Sequence, residues 1–331
     1  MMFKWKRILV IVAVLVIGLI GFAAYGNYRM SKIPYMTFDD MLAYTLKGNE
    51  EATIAIGIIQ NGKRTYQFHG NQREFEIGSL TKTFTASMIL QSVDDLEAPL
   101  NEFTDLPEGS YPTIRALLTH TSGYKGWYFE EDMIWNFLNG RNDYYGISTE
   151  ELLDRVAHIN WHNKNYGFRY SNFGYAVLGE VLSQIHGQDF TSLLNDYVES
   201  LGLHQTFVSD GSGPNYWEWQ PDDAYLAAGG LVSTLPDMLS YAQIQLSKEH
   251  EILEFIDVQE KLGIRMDAIG AAWLHDLERN MVWHNGATGH YNSYLGFDVE
   301  NQIAVVILSD LSPNYRIPAT LMGLRLLEEL R

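Results

Sequence analysis

The chain has 331 residues, of which 46% are hydrophobic and 19% are charged, a composition typical of a folded protein with one large domain or two closely packed ones. It contains no cysteine, which excludes disulfide bonds, thiol catalysis and zinc held by cysteines. After residue 32 the chain carries 18 basic and 41 acidic residues, a formal charge of −23. Such an acidic body is not expected to bind nucleic acid.

The N-terminal segment predicts attachment to a membrane. Residues 1–7 include the basic residues Lys4, Lys6 and Arg7, and residues 8–28 are uncharged and mostly apolar. Some twenty helical residues cover about 30 Å, enough to cross a bilayer. We therefore predict a cytoplasmic segment over 1–7, a transmembrane anchor over 8–28, a linker over 29–36 and a body outside the membrane. The alternative is a signal peptide cleaved near Ala24-Tyr25-Gly26, which would leave a secreted protein.

The rest of the chain shows strand signals near both of its ends. A capping box at Thr37 and Asp40 predicts a helix that stops at Gly48. The Asn61-Gly62 pair then predicts a hairpin of strands 52–60 and 63–69. Helices are predicted after Ser79, after the capping box at Ser148, over 173–186 and after Thr234. Strands are predicted over 269–273, 280–284, 291–297 and 303–309. A last helix is predicted over 318–330.

This order of elements predicts an α+β fold. Strands at both ends of the domain imply one antiparallel sheet built from residues 37–78 and 250–331 and flanked by helices. Residues 79–249 would form an inserted, mostly helical subdomain.

The sequence Ser79-Leu80-Thr81-Lys82 is a candidate for chemistry. At the start of a helix, Lys82 lies one turn from Ser79 on the same face, so its amine can approach the hydroxyl. The helix N-terminus also favours negative charge beside the serine, as acyl transfer requires. The pattern alone is weak, because a second match, Ser122-Gly123-Tyr124-Lys125, occurs in the same chain.

Two further segments make the pattern specific. In an extended stretch, Tyr170 and Asn172 of Tyr170-Ser171-Asn172 point to the same side. His284-Asn285-Gly286 lies on a predicted strand with small residues that let a substrate approach closely. With Ser79-Leu80-Thr81-Lys82, these motifs resemble, in order, those of the serine β-lactamase and penicillin-binding-protein superfamily, in its class C-like branch with DD-peptidase, D-aminopeptidase and esterase members.

The resemblance runs from about residue 52 to the C-terminus and implies roles for individual residues. Ser79 resembles the nucleophile that forms an acyl-enzyme, Lys82 the amine that helps to deprotonate it, and Tyr170 the general acid/base. The backbone N–H groups of Ser79 and Ala287 would form the oxyanion hole. The substrate would be bound by Asn172, His284, Gly286 and a wall of aromatic side chains, Trp217 and Trp219. The alternative role for Asn172 is to hold Lys82. The second Ser-x-x-Lys match lies in a turn that looks structural.

The third motif narrows the expected activity. In β-lactamases of this branch it begins with lysine, whereas histidine resembles the peptidase and esterase members, so β-lactamase activity is not expected. The resemblance implies a hydrolase that cleaves D-alanyl amide bonds of peptidoglycan stem peptides or D-alanyl esters of teichoic acid. The sequence leaves that choice open. If His284 titrates near its unperturbed pKa of about 6.5, it would recognise a free carboxylate better at pH 6 than at pH 8. A catalytically silent wall-binding or sensor protein is the alternative.

No cofactor or metal is expected. His158 and His162 are four residues apart, but no His-Glu-x-x-His arrangement is present. His120 and His290 lie in segments that resemble the superfamily and are interpreted as local hydrogen-bonding groups.

Overall fold

The structure is a computed structural model that describes residues 33–247, 263 and 265–331. The predicted cytoplasmic segment, the predicted anchor over 8–28 and residues 29–32 of the linker lie outside the described residues. In the part of the chain that is described, no helix is both long and apolar enough to span a bilayer.

A seven-stranded antiparallel sheet joins the two ends of the domain, which confirms the predicted α+β fold. The predicted hairpin forms strands β1 (Ile54–Gln60) and β2 (Lys63–His69), and β1 pairs with β10 (Ile303–Ser309) from the far end of the chain. The strand order is β2-β1-β10-β9-β8-β7-β6. The bounds are β1 Ile54–Gln60, β2 Lys63–His69, β6 Ala268–Ile269, β7 Leu274–Asp276, β8 Met281–Ala287, β9 Asn292–Asp298 and β10 Ile303–Ser309.

Helices cover both faces of this sheet because both faces are apolar. Along β1, Ile54 and Ile56 enter the apolar cluster shared with helices α1 (Phe38–Leu46) and α10 (Ala319–Glu329). Ala55, between them, faces the opposite side, which includes α9 (Leu235–Ser247). The capping box of α1 forms as predicted.

A helical layer is inserted between β2 and β6, also as predicted. Its helices include α5 (Thr149–His158), which begins with the capping box at Ser148, and α6 (Asn172–His186), which ends at the left-handed Gly187. A second, three-stranded sheet of order β3-β5-β4 was not predicted. The bounds are α2 Thr81–Ser92, α3 Ile114–Leu118, α4 Glu130–Leu138, α5 Thr149–His158, α6 Asn172–His186, α7 Phe190–Ser200, α8 Leu226–Gly229, β3 Glu74–Glu76, β4 Phe207–Val208 and β5 Leu231–Thr234.

Two predicted details differ from the structure. The apolar run 269–273 is not one strand, because Gly270 N bonds back to Trp273 O at 2.7 Å and Ala272 has a φ of 69°. The chain turns there between β6 and β7. Helix α9, which the predicted boundary assigns to the helical subdomain, packs on the sheet, since a Cβ at Gly57 of β1 would lie 2.8 Å from the Leu239 side chain.

Candidate active site

The predicted nucleophile lies in a tight turn between the two layers. Ser79 belongs to a 3-10 turn, Gly78–Leu80, that precedes α2, rather than to the first turn of the helix itself. Gly78 has a φ of 51°, and a Cβ there would lie 2.6 Å from Ala287 N. The turn therefore packs directly on the end of β8. Ser79 is half-buried, so its hydroxyl can be reached.

Lys82 contacts Ser79 as predicted. Its Nζ lies 3.0 Å from Ser79 Oγ and donates to Ala228 O at 2.5 Å. The side chain is completely buried, and burial holds the pKa of the amine well below its usual range. A neutral amine has a lone pair that can accept the hydroxyl proton.

Tyr170 is the second titratable group beside the nucleophile. Its hydroxyl hydrogen-bonds with Ser79, and Lys82 Nζ lies 5.1 Å from the centre of its ring. Burial raises the pKa of Tyr170 above its usual value, although the bond to Ser79 opposes this shift. Burial therefore favours the neutral form of both groups, which leaves Lys82 as a base and Tyr170 as a proton donor.

His120 holds the segment that carries Tyr170. Its carbonyl accepts from Arg169 N at 2.8 Å, and its Nδ1 accepts from Ser171 N at 3.1 Å. Its ring lies 4.4 Å from the ring of Tyr170. Burial lowers the pKa of His120 well below its usual value, and positive charge on Lys82 or His284 would lower it further, so the ring is neutral. The expectation of a local hydrogen-bonding role for His120 is confirmed.

The end of β8, which carries the predicted oxyanion donor Ala287, packs against the Ser79 turn. Ala287 is exposed at the end of the strand, and its backbone faces the Ser79 turn. Gly286 is predicted to bind substrate, but a Cβ at this position would clash with Ile77 O, which also accepts from Ser293 Oγ at 2.8 Å. A glycine is therefore needed at position 286 so that the nucleophile turn can approach the strand. This packing explains the glycine without a contact to substrate.

His284 is buried and does not fit the expected titration near pH 6.5. Burial, followed by repulsion from the protonated form of Lys82, lowers the pKa of His284 to about 3. Its Nδ1 lies 2.6 Å from Asn285 O, and because a carbonyl only accepts, Nδ1 carries the proton. Nε2 is then a buried acceptor with no hydrogen-bond partner in the described part of the chain. At pH 6–8 the ring offers a lone pair rather than a positive charge.

Asn172 lies at the start of α6, near the predicted site. Its Nδ2 donates to the Tyr144 hydroxyl at 2.6 Å, whereas Lys82 bonds to Ser79 and Ala228. Within the described residues Asn172 Oδ1 is buried and has no hydrogen-bond partner, which is unusual for a buried polar atom. Of the two predicted roles, the contacts favour substrate binding over holding Lys82.

The two predicted wall residues lie in different surroundings. Trp217 is half-buried, its ring lies 6.1 Å from that of Tyr144, and a Cβ at Gly289 would lie 3.0 Å from its Nε1. It therefore lies between the loop after β8 and the residue that bonds Asn172. Trp219 is buried in the core behind Trp217, with ring centres 6.1 Å apart, so it supports the wall rather than facing a substrate.

Glu76 belongs to this region but was not among the predicted site residues. It ends β3, three residues before Ser79, and is 3% exposed. Its carboxylate accepts from Trp217 N at 2.7 Å and from Thr288 Oγ1 at 2.6 Å. The available signal was an acidic residue between apolar Phe75 and Ile77 immediately before the motif.

The arrangement as a whole can perform acyl transfer to a serine. It brings together a reachable hydroxyl, a buried amine and a buried phenol whose neutral forms are both favoured by burial, and the backbone of a strand end beside the hydroxyl. The fold and this arrangement are those of the serine hydrolases to which the sequence motifs point.

Comparison with known proteins agrees with this class. A family model described as Beta-lactamase matches residues 38–323, so the chain belongs to this family, within the superfamily of serine β-lactamases and penicillin-binding proteins. "Protein flp" of Staphylococcus aureus (strain MRSA252) is 21% identical over 336 residues, which cover 87% of this chain and 65% of that protein. The chain thus spans slightly less than two thirds of the length of this relative.

Solved structures share the fold at low identity. An octameric penicillin-binding protein homologue from Pyrococcus abyssi superposes with a TM-score of 0.73 at 22% identity, covering 88% of this chain and 76% of that chain. A β-lactamase/D-alanine carboxypeptidase from Yersinia pestis superposes with a TM-score of 0.72 at 19% identity, covering 91% of this chain and 98% of that chain.

Proposed function

We propose that this protein is a membrane-tethered extracytoplasmic serine hydrolase that forms an acyl-enzyme on Ser79 and cleaves D-alanyl esters of the cell envelope, such as those on teichoic acid. In this proposal Lys82 removes the Ser79 proton as the hydroxyl attacks the acyl carbon. Tyr170 then donates a proton to the departing alcohol. The N–H groups of Ser79 and Ala287 stabilise the oxyanion, and a water molecule hydrolyses the acyl-enzyme.

We propose an ester rather than a stem-peptide amide as the substrate because His284 is neutral and buried. A carboxypeptidase substrate ends in a free carboxylate, which requires a cation or several donors. His284 Nδ1–H is used by Asn285 O, and its Nε2 can only accept. A D-alanyl ester has no free carboxylate, and its ammonium group suits an acidic body with a formal charge of −23. The similarity in fold to a β-lactamase/D-alanine carboxypeptidase supports D-alanyl chemistry in general.

The acidic body also affects the choice of polymer. A teichoic acid carries phosphate groups, which such a body repels beyond the immediate site. At physiological ionic strength, salt largely screens the repulsion between exposed charges that are more than about 8–10 Å apart. We therefore expect KM for the polymer to fall as salt is added, while KM for an uncharged D-alanyl ester stays constant.

Release of D-alanine tests the proposal. The full-length protein in detergent is incubated with D-alanylated teichoic acid and, separately, with a stem peptide ending in D-alanyl-D-alanine. Free D-alanine is quantified, with Ser79→Ala as the control. We expect Ser79-dependent release from the ester and much slower release from the peptide. Faster release from the peptide would reverse the preference, and release from neither would count against both substrates. Membrane fractionation with and without residues 1–28 tests the tether.

A further inference from the structure

The carboxylate of Glu76 joins three segments that the proposed reaction needs. Glu76 precedes the Ser79 turn on the same strand-to-helix connection. Thr288, which donates to it at 2.6 Å, directly follows Ala287, whose N–H is the second proposed oxyanion donor. The backbone N–H of Trp217 donates to the other carboxylate oxygen at 2.7 Å, and the side chain of Trp217 forms the aromatic wall. One side chain therefore connects the nucleophile turn, the oxyanion strand and the wall.

We propose that Glu76 is a positioning residue whose ionised carboxylate holds the Ala287–Thr288 strand end and the Trp217 loop in place against the Ser79 turn. The inference rests on the proposed acyl-enzyme at Ser79. Glu76 acts through Thr288 and Trp217 and does not itself touch a substrate. Two hydrogen bonds accepted by one carboxylate are stronger when the carboxylate is charged, so the hold is firmest when Glu76 is ionised.

The surroundings place this ionisation within an ordinary pH range. Burial raises the pKa of Glu76 from 4.5 to about 7, and the bonds from Thr288 and Trp217 oppose that shift. Two tyrosines face it: Tyr216 from the Trp217 loop and Tyr291 from the turn after β8. Burial raises the pKa of both phenols, so they stay neutral near pH 7. In the part of the chain that is described, no cation contributes to the shift of Glu76.

Glu76→Gln imitates the protonated carboxyl. The amide oxygen can still accept from Trp217 N, and the amide nitrogen can donate to the Thr288 hydroxyl once that hydroxyl rotates. This variant keeps both contacts but never gains the charge. Glu74→Gln is the matched control, because Glu74 is exposed at the other end of the same strand.

The experiment measures the rate of Ser79 acylation by 4-nitrophenyl acetate between pH 5.5 and 8.5, using the full-length protein. The ratio of the Glu76→Gln rate to the wild-type rate cancels ionisations that both proteins share, including those of Lys82 and Tyr170. We expect this ratio to be near 1 at pH 5.5 and to fall about fivefold to tenfold by pH 8.5. The corresponding ratio for Glu74→Gln should stay constant.

A second variant tests the contact itself. Thr288→Val removes the hydroxyl that lowers the pKa of Glu76. With this variant, the pH at which the Glu76-dependent effect appears should therefore move upward. A purely structural role for Glu76 would lower rates equally at every pH and would not produce that shift.

A measurement without catalysis complements the rates. Because the folded protein binds the Glu76 proton more tightly than the unfolded chain does, stability is lost as pH rises from 4.5 toward about 7. The melting temperature of the wild type should therefore fall relative to that of Glu76→Gln over this range.

The acylation rates separate the two proposals. If the wild type is acylated but the ratio of the Glu76→Gln rate to the wild-type rate is flat with pH, only the positioning role is overturned. If the wild type shows no Ser79-dependent acylation, the proposed acyl-enzyme fails and the positioning role with it.

Discussion

The two Ser-x-x-Lys sequences of this chain fold into different surroundings. Ser79 is half-buried, and the completely buried Lys82 lies 3.0 Å from its hydroxyl. In the second match Ser122 is buried and Lys125 is exposed, with its Nζ 5.4 Å from the centre of the Tyr128 ring. The same residue types therefore form a hydroxyl–amine pair in one place and a turn in the other.

The backbone between the two residues explains the difference. From Ser79 to Lys82 the chain continues from a 3-10 turn into α2, which places both side chains on one side. In the second match no residue from Ser122 to Lys125 is helical, and Gly123 has a φ of 77°, so the two side chains are not placed one helical turn apart. The motif indicates chemistry only where helical geometry and burial accompany it.

The largest difference is expected between substitutions of the two serines. Ser79→Ala should abolish labelling by a serine-reactive fluorophosphonate and reduce turnover by on the order of 10⁴ to 10⁶. Ser122→Ala should leave labelling within about threefold and lower stability by about 1–3 kcal/mol, because Tyr124 N loses its buried acceptor. Labelling and melting temperature measure the two effects. Equal loss of labelling in both variants would contradict the distinction.

The two lysines should differ next most. Lys82→Met removes the proposed base, and we expect the acylation rate to fall by about 10² to 10⁴. Lys82→Arg should be equally inactive, because a guanidinium stays charged and cannot accept the Ser79 proton. Lys125→Met should keep the wild-type rate. Stopped-flow acylation measures these rates, and circular dichroism checks folding. An active arginine variant would show that Lys82 supplies charge rather than a base.

The two tyrosines offer a smaller, more specific contrast. Tyr170→Phe should slow acylation by an alkyl ester about 10- to 100-fold more than acylation by a 4-nitrophenyl ester. The reason is that a poor leaving group needs a proton, whereas nitrophenolate does not. Tyr128→Phe, at the second motif, should slow both esters equally or not at all. Rates for the matched pair of esters measure this, and equal losses in Tyr170→Phe would rule out proton donation to the leaving group.

The smallest expected effect concerns His284. Since its pKa lies at about 3, its charge does not change between pH 6 and 8. The ratio of kcat/KM for a carboxylate-bearing substrate to that for its carboxylate-free ester analogue should therefore be constant in this range. His284→Gln should leave the ratio equally flat. A wild-type ratio that falls with rising pH, and becomes flat in the variant, would mean that His284 is charged when substrate binds.

Sequence patterns predicted the parts of this molecule that depend on local chemistry. The capping boxes at Thr37 and Ser148, the Asn61-Gly62 turn and strand 303–309 all form where expected, because neighbouring residues decide them. The strand predicted over 269–273 was wrong. Its apolar residues are buried in the core, but the backbone turns at Ala272, which has a positive φ. Asn280, predicted to start a strand, instead adopts a φ of 48° before β8.

The contact between Ser79 and Lys82 was predictable from the sequence, but Glu76 and the electrostatics of the candidate site were not. The contact of Ser79 with Lys82 follows from spacing along a helix, whereas the lowered pKa of Lys82 depends on burial against Ala228, 146 positions away. His284 was expected to titrate near neutral pH. Its pKa of about 3 and its tautomer depend on the complete packing and on one carbonyl contact, neither of which spacing reveals.

The pairing of β1 with β10 has a consequence for how the chain folds. Thr53 N donates to Asp310 Oδ1 at 2.7 Å across 257 positions, and β1 has β2 alone as a partner until β10 exists. Contacts between such distant segments make folding slow, because a long loop must close before they form. At about 5–20 residues per second, synthesis takes many seconds to proceed from β1 to β10. For most of that time Ser79 is present, but β8, which completes its surroundings, is not. An unfinished chain is therefore exposed to aggregation and proteolysis, and hydrolytic activity should appear only once nearly the whole domain has been made.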